Sequence, residues 1–187
     1  MTREELNALR DECYKIACDH GFHDVGLSEQ HYLCLVISEL MEAVEADRKN
    51  RYADLDKFKQ ANEVFTFSGA FEHCIKDTLE DELADAAIRI LDLAGYQRFD
   101  IGSMVEVDLC RGDNATRDHT LLKDYFENHS FTESIYEIVE QICYHGYDLA
   151  MTALFELADA LDIDLMQHIR LKMDYNRTRE RLHGKKY

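Results

Sequence analysis

The stretch Asp77-Thr-Leu-Glu-Asp-Glu-Leu-Ala-Asp-Ala-Ala-Ile-Arg-Ile-Leu-Asp-Leu-Ala-Gly-Tyr96 decides the fold. At 100° per residue, Leu79, Leu83, Ala86, Ala87, Ile88, Ile90, Leu91, Leu93 and Ala94 cover most of a helix's circumference. Asp81, Glu82, Asp85, Arg89 and Asp92 fall together in roughly a third of the circle. A helix apolar nearly all round belongs at the centre of a bundle, so part of that polar wedge is expected in the interior or in a cleft.

The flanking sequence supplies the partners of such a helix. Thr2 and Glu5 fit a capping box, and Leu6, Leu9, Cys13, Ile16 and Ala17 continue at helical spacing to about Asp19, with Gly21 as the stop. Ser28 caps a second helix with Leu33, Val36, Ile37, Leu40, Met41 and Val44 on one face, reaching about Asn50. Residues 51–76 are less regular, with a short helical pattern from Leu55 to Phe65 and a break expected near Ser68-Gly69. Residues 98–130, with Gly102, Gly112, Asp113 and Asn114, read as a loop-rich insertion carrying a short helix. The helical period returns from Thr132 to Leu161, interrupted at Gly146, and a last helix starts near Asp162 or Asp164 and is expected to run to about Leu182. Nothing resembling a linker or an internal repeat divides the chain, so 1–187 is expected to form a single all-α domain with insertions at about 49–76 and 97–145.

Composition agrees. The chain has no proline, where about nine would be usual, and 46% of its residues are hydrophobic, which excludes collagen-like and β-rich readings. The formal charge of −17 opposes binding to nucleic-acid polymers and anionic membranes. The last eighteen residues nevertheless gather Arg170, Lys172, Arg177, Arg179, Arg181, Lys185 and Lys186 against Asp174 and Glu180. Metal ions holding a small anionic ligand would use both halves of that arrangement. The six scattered cysteines read as reduced thiols, no apolar run approaches a membrane span, and a soluble cytoplasmic protein is expected.

Two acidic pairs carry the chemistry. Glu39 and Glu42 are three residues apart, hence neighbours on one helix face, and Glu82 and Asp85 repeat the spacing on the central helix. Side by side they would place four carboxylates around one small volume, a hard-oxygen set suited to Mg²⁺ or Mn²⁺. In a chain this acidic, chance alone produces about seven or eight such pairs, as Glu137/Glu140 and Glu156/Asp159 illustrate, so a solvated face is the competing reading. Two features favour the metal. The Glu82/Asp85 wedge is hemmed in by apolar residues, and Ala43, Ala46, Ala84 and Ala86 would let the helices approach closely.

Other metal chemistries find less support. A ferritin-like di-iron site needs two inward Glu-x-x-His pairs, and only Glu180/His183 has that spacing, in the basic tail. His20 and His23, at a helix end, read as an exposed pair rather than zinc ligands. On the last helix Lys172 and Asn176 are four residues apart, with Arg179 three further on, a row that could hold phosphate and base or that could simply complement the helix dipole. No Gly-rich phosphate loop, nucleophile elbow or kinase motif is present.

Leu35-Val-Ile-Ser-Glu-Leu-Met-Glu-Ala-Val-Glu-Ala-Asp-Arg48 and Glu82-Leu-Ala-Asp-Ala-Ala-Ile-Arg-Ile-Leu-Asp-Leu-Ala94 together resemble the MazG-like all-α nucleoside triphosphate pyrophosphohydrolases, marked by E-x-x-E on one helix and E-x-x-D on the next. The stretch from Leu161 through Lys172 and Asn176 to Tyr187 resembles the closing helix and basic tail of that group. The likeness covers about residues 20–48, 77–96 and 150–187. It implies an antiparallel helical bundle and Mg²⁺-dependent hydrolysis of nucleoside triphosphates, deoxynucleotides or modified ones, to the monophosphate and pyrophosphate. Glu39, Glu42, Glu82 and Asp85 would be the metal ligands, Glu42 doubling as catalytic base, and Lys172, Asn176 and Arg179 would contact the nucleotide. A homo-oligomer, dimer or tetramer, is implied too. Two departures stand out: 39 residues separate Glu42 from Glu82, and residues 97–145 intervene before the last match. Other readings are a pyrophosphohydrolase of a nucleotide-linked metabolite and a non-catalytic helical module with an acidic face.

Overall fold

A computed structural model describes residues 2–101, 118–144, 146–184 and 186. Gly102, Cys110, Gly112, Asp113, Asn114 and Lys185 lie outside the described residues. The chain is an all-α bundle: α1 (Arg3–Asp19), α2 (Glu29–Arg48), α3 (Leu55–Asn62), α4 (Phe67–Cys74), α5 (Leu79–Tyr96), α6 (Asp118–Asn128), α7 (Phe131–Tyr144), α8 (Tyr147–Ala160) and α9 (Leu165–Arg177), closed by a 3₁₀ turn at Arg181–Gly184.

The central position of α5 follows from its composition. It packs against α2, α1, α9 and α8, and Leu83, Ala84, Ala86, Ala87, Leu91 and Ala94 are completely buried. Its alanines and Gly95 bring neighbours close: a Cβ on Gly95 would stand 2.5 Å from Tyr14 Cβ of α1. The start is fixed locally. Asp77 takes a left-handed φ of 61°, and the Thr78 hydroxyl accepts from the Asp81 amide while donating to the Ile75 carbonyl. Three acids in the first turn, Glu80, Asp81 and Glu82, then face the positive end of the helix dipole.

The other caps are those the sequence announces. Both halves of the Thr2/Glu5 capping box form, and Ser28 accepts from the His31 amide. Gly146, at φ 104°, separates α7 from α8, and Asp164 caps α9 through the Gln167 amide. Two boundaries differ from expectation. The break in the first insertion falls at Glu63–Thr66 and not at Ser68-Gly69, because Thr66 caps α4 and draws Gly69 into its first turn. The last helix stops at Arg177, five residues early, where Leu182, His183 and Gly184 turn left-handed and the Leu182 amide reaches the His20 carbonyl.

The two insertions behave differently. The α3–α4 hairpin forms a small apolar cluster of its own, Phe58, Ala70, Phe71, Cys74 and Ile75, joined to α9 by Tyr175, whose ring stacks on Phe71 at 4.4 Å. The second insertion contributes α6 and α7 to the main core: α7 packs on α2 and α8, and α6 on α8. No helix among the described residues is long and apolar enough to cross a membrane.

Candidate metal centre

Helices α2 and α5 pack with small residues between them, so acids on their facing sides have little room to separate. Glu39, Glu42 and Glu82 each offer a carboxylate oxygen within 4.8 Å of the others. Glu39 and Glu82 are 2% and 4% exposed, while Glu42 is open to solvent. The group therefore has two dry walls and one wet one.

Glu82 shows what this crowding costs. Burial first, then the charges of Asp85, Asp81 and Glu39, push its carboxyl up to about 9, against the opposing Lys172. Several carboxylates confined in so small a volume cannot all ionise unless a cation joins them, and an all-oxygen donor set of this kind fits Mg²⁺ or Mn²⁺. The residues present thus fit a divalent ion held by Glu39, Glu42 and Glu82.

Asp85, expected as a fourth ligand, stands one turn along α5 and outside this group of three. The Lys172 ammonium bridges it to the buried Asp81, at 2.8 Å and 2.7 Å. Burial pushes Asp81 up to about 6 although Lys172 pulls the other way, and its Oδ1 has no hydrogen-bond partner among the described residues. Lys172 is itself buried, and its two carboxylates hold its pKa above the ordinary lysine value in spite of that burial. At the other end, Arg89 Nε donates to Glu39 Oε1 at 2.5 Å. The acid row is thus bracketed by two cations, and Lys172 faces the carboxylates of α5 rather than standing free for a ligand.

Beside the row, a partly open pocket runs between α1, α5 and α9. Asp85, Arg89 and Asp92 line it from α5, and Asn176, Arg179 and His183 from the C-terminal side. Cys13, Ile16, Phe22, Ile88 and Met173 give it apolar walls. Asn176 is 6% exposed, and its Oδ1 has no hydrogen-bond partner among the described residues. Arg179 donates to the His183 carbonyl at 3.1 Å and packs over the Tyr175 ring. So Asn176 and Arg179 do share one site, and Asp85 links it to the acids. A shallower depression on the wet side of the cluster combines Glu42 and Glu82 with Lys49 and Arg51.

Much of the tail's basicity is spent on internal acids. Arg177 meets Glu12 and Asp174, each at 2.5 Å, and Arg181 meets Asp24 at 2.5 Å. The Arg181–Asp24 pair and the Leu182–His20 hydrogen bond hold the tail against the end of α1.

The expectation of an exposed histidine pair is corrected. His20 ends α1 with Nδ1 2.8 Å from the Ile16 carbonyl and Nε2 3.1 Å from the Arg179 carbonyl. The left-handed Gly21 then turns the chain so that His23 tucks under α5, its Nε2 2.7 Å from Asp92 Oδ1. Burial raises the pKa of Asp92, and His23 and then Arg89 oppose it. Asp81, Arg89 and Asp92 join the site although the paired-acid spacing does not single them out; all three sit in the polar wedge of α5, the signal in the sequence that marks them. No family model, curated protein or solved structure matches the chain.

Proposed function

We propose that this protein is a MazG-like, Mg²⁺-dependent pyrophosphohydrolase that cleaves nucleoside triphosphates between the α and β phosphates, giving the monophosphate and pyrophosphate. The observation that carries the reading is the convergence of Glu39, Glu42 and Glu82 within 4.8 Å, next to a pocket whose buried Asn176 carries an oxygen with no partner among the described residues. An acid cluster that faced only solvent would need neither.

The residues divide the work by burial. Glu39 and Glu82, dry and fixed by helix packing, hold the metal; Glu42, at the wet edge, holds it and takes the proton of the attacking water. Magnesium, when bound, neutralises charge developing on the phosphate oxygens and makes a bound water more acidic. Lys49 and Arg51 border the open side and attract the polyphosphate, while Asn176 and Arg179 hold the nucleoside end in the adjoining pocket. Asp85 acts as metal ligand only when Lys172 yields it, and otherwise keeps Lys172 in place. The oxygen of water becomes part of one product, the anhydride bond opens, and the pyrophosphate leaves with the electron pair.

One observation favours the non-catalytic alternative: Arg89 and Lys172 already compensate acids at both ends of the row, as an interaction module without metal would require. Incubation with a panel of nucleotides and Mg²⁺, read as pyrophosphate release, separates the two. Turnover lost in Glu42→Gln and Asp85→Asn supports the enzyme. Absence of pyrophosphate from every nucleotide, or turnover intact in both variants, refutes it. The natural setting of such an activity is a cytoplasmic homo-oligomer that cleans the nucleotide pool.

A further inference from the structure

The pocket beside the acids is not neutral in its choice of ring. On α5, Asp92 lies seven residues beyond Asp85, about 10 Å along the axis at 1.5 Å per residue, and both line the pocket. Glu82, the metal-holding acid of α5, stands ten residues before Asp92, about 15 Å along the axis, with Asp85 between them.

Asp92 is held in place with unusual thoroughness. His23 Nε2 lies 2.7 Å from its Oδ1, where a carboxylate can only accept, and His23 Nδ1 is 3.3 Å from the Tyr32 hydroxyl. The imidazole is stacked on Tyr96, 4.9 Å between centroids at 13°, and the tilted rings of Tyr14 and Tyr32 pack against it at 5.0 Å and 5.4 Å. Three aromatic rings and a hydroxyl therefore orient one histidine, whose remaining bond orients one carboxylate. That bond occupies Oδ1 alone; Oδ2 takes no hydrogen bond from the described residues. The walls around it, Phe22, Ile88 and Met173, are apolar and suit the faces of a flat ring.

We infer that Asp92 reads the base, so that the pocket selects nucleotides whose base carries an amino group (cytosine, adenine or guanine) over those of uracil and thymine. The inference rests on the nucleotide reading above and names the substrate class of that same site. Its chemistry is a matter of donors and acceptors. An ionised carboxylate only accepts, and the amino group of C, A or G offers it a donor. Uracil and thymine present a carbonyl oxygen at the corresponding place, acceptor against acceptor, and their single N–H donor is flanked by two such carbonyls. A carboxylate oxygen placed to receive a hydrogen bond favours the base that offers a donor over the analogue that presents an acceptor there. His23 is here a positioning residue and Asp92 the one that touches the base.

Two measurements on the full chain test this. The first is calorimetric binding of the five monophosphate products dCMP, dAMP, dGMP, dUMP and dTMP. The second is pyrophosphate release from the matching triphosphates with Mg²⁺, separated into kcat and KM. The expected result is at least about tenfold tighter binding of one or more amino-bearing monophosphates than of both dUMP and dTMP, with the same order in kcat/KM. Asp92→Asn, which adds a donor without changing shape, should bring that ratio close to one, mostly through KM. Equal binding of all five, preference for dUMP or dTMP, no binding of any, or an unchanged ratio in Asp92→Asn would overturn the inference. Should that variant fail to fold, the wild-type order of affinities decides alone. Absence of hydrolysis with every triphosphate would defeat the enzymatic reading only, since the monophosphate arm needs no turnover.

Discussion

Replacing Glu82 by Gln tests the metal centre through stability rather than activity. In an unfolded chain the carboxyl ionises near 4.5; in the fold, burial and the neighbouring acids hold it up to about 9. At neutral pH, folding in the absence of metal must therefore take up a proton. Stability is fully present below pH 4.5 and is lost progressively as pH rises toward 9, where the native carboxyl ionises as well. At 1.36 kcal/mol per pH unit the loss accumulated by pH 7 amounts to at most about 3 kcal/mol. Gln has the same shape and nothing to titrate, so in EDTA Glu82→Gln should be more stable than the wild type at pH 7, by about 1–3 kcal/mol, with the difference closing near pH 4.5. Added Mg²⁺ should stabilise the wild type by mass action and the variant much less. Urea unfolding followed by circular dichroism, at several pH values with and without Mg²⁺, reads all of this. A variant that is less stable than the wild type at pH 7 in EDTA, or a difference that ignores pH, would refute the account of Glu82; equal Mg²⁺ stabilisation of both proteins would refute its role as ligand.

The bundle makes further commitments. Lys172→Met leaves Asp81, 1% exposed, without its cation, and should cost about 3–5 kcal/mol in urea unfolding; unchanged stability with lost nucleotide affinity would instead make Lys172 a ligand residue. Gly95→Ala forces its Cβ to within 2.5 Å of Tyr14 Cβ and 3.3 Å of the Arg10 carbonyl, so α1 must shift from α5 and the melting temperature should fall, by the equivalent of about 1–3 kcal/mol. If it stays level, the α1–α5 seam is looser than its geometry says. Leu83→Ala empties a fully buried position at the centre of α5 and should cost about 2–5 kcal/mol, seen as a lower urea midpoint with an unchanged slope.

The parts of this fold that could be read in advance are those dictated by local chemistry. Thr2, Ser28 and Asp164 each satisfy amides within their own first turn, so a side chain and a spacing suffice to locate the helix start. The all-round apolarity of α5 likewise announces burial before any partner is known. Long-range contacts were out of reach. Nothing adjacent in sequence says that Lys172 will cross 91 positions to Asp81, or that His23 will be turned by Gly21 onto Asp92. The end of α9 is illegible in the sequence because the residues after Arg177 keep a helical composition. The helix closes at Thr178, and beyond it the Leu182 amide meets the His20 carbonyl, a contact between distant parts of the chain. In the site the same division holds. The i, i+3 acids gave Glu39, Glu42 and Glu82, whereas the capture of Asp85 by Lys172 depends on how α9 lies against α5.

The α3–α4 hairpin has a consequence for motion. Because its apolar cluster is separate from the main one, the hairpin is expected to open ahead of the bundle, and its amide hydrogens should exchange before those in α5. Phe71, the ring that such an opening would lift away, is the one over which the Lys172 ammonium sits at 5.6 Å. Each excursion would admit water to the Lys172–Asp81 pair and weaken the attraction that a dry interior sustains.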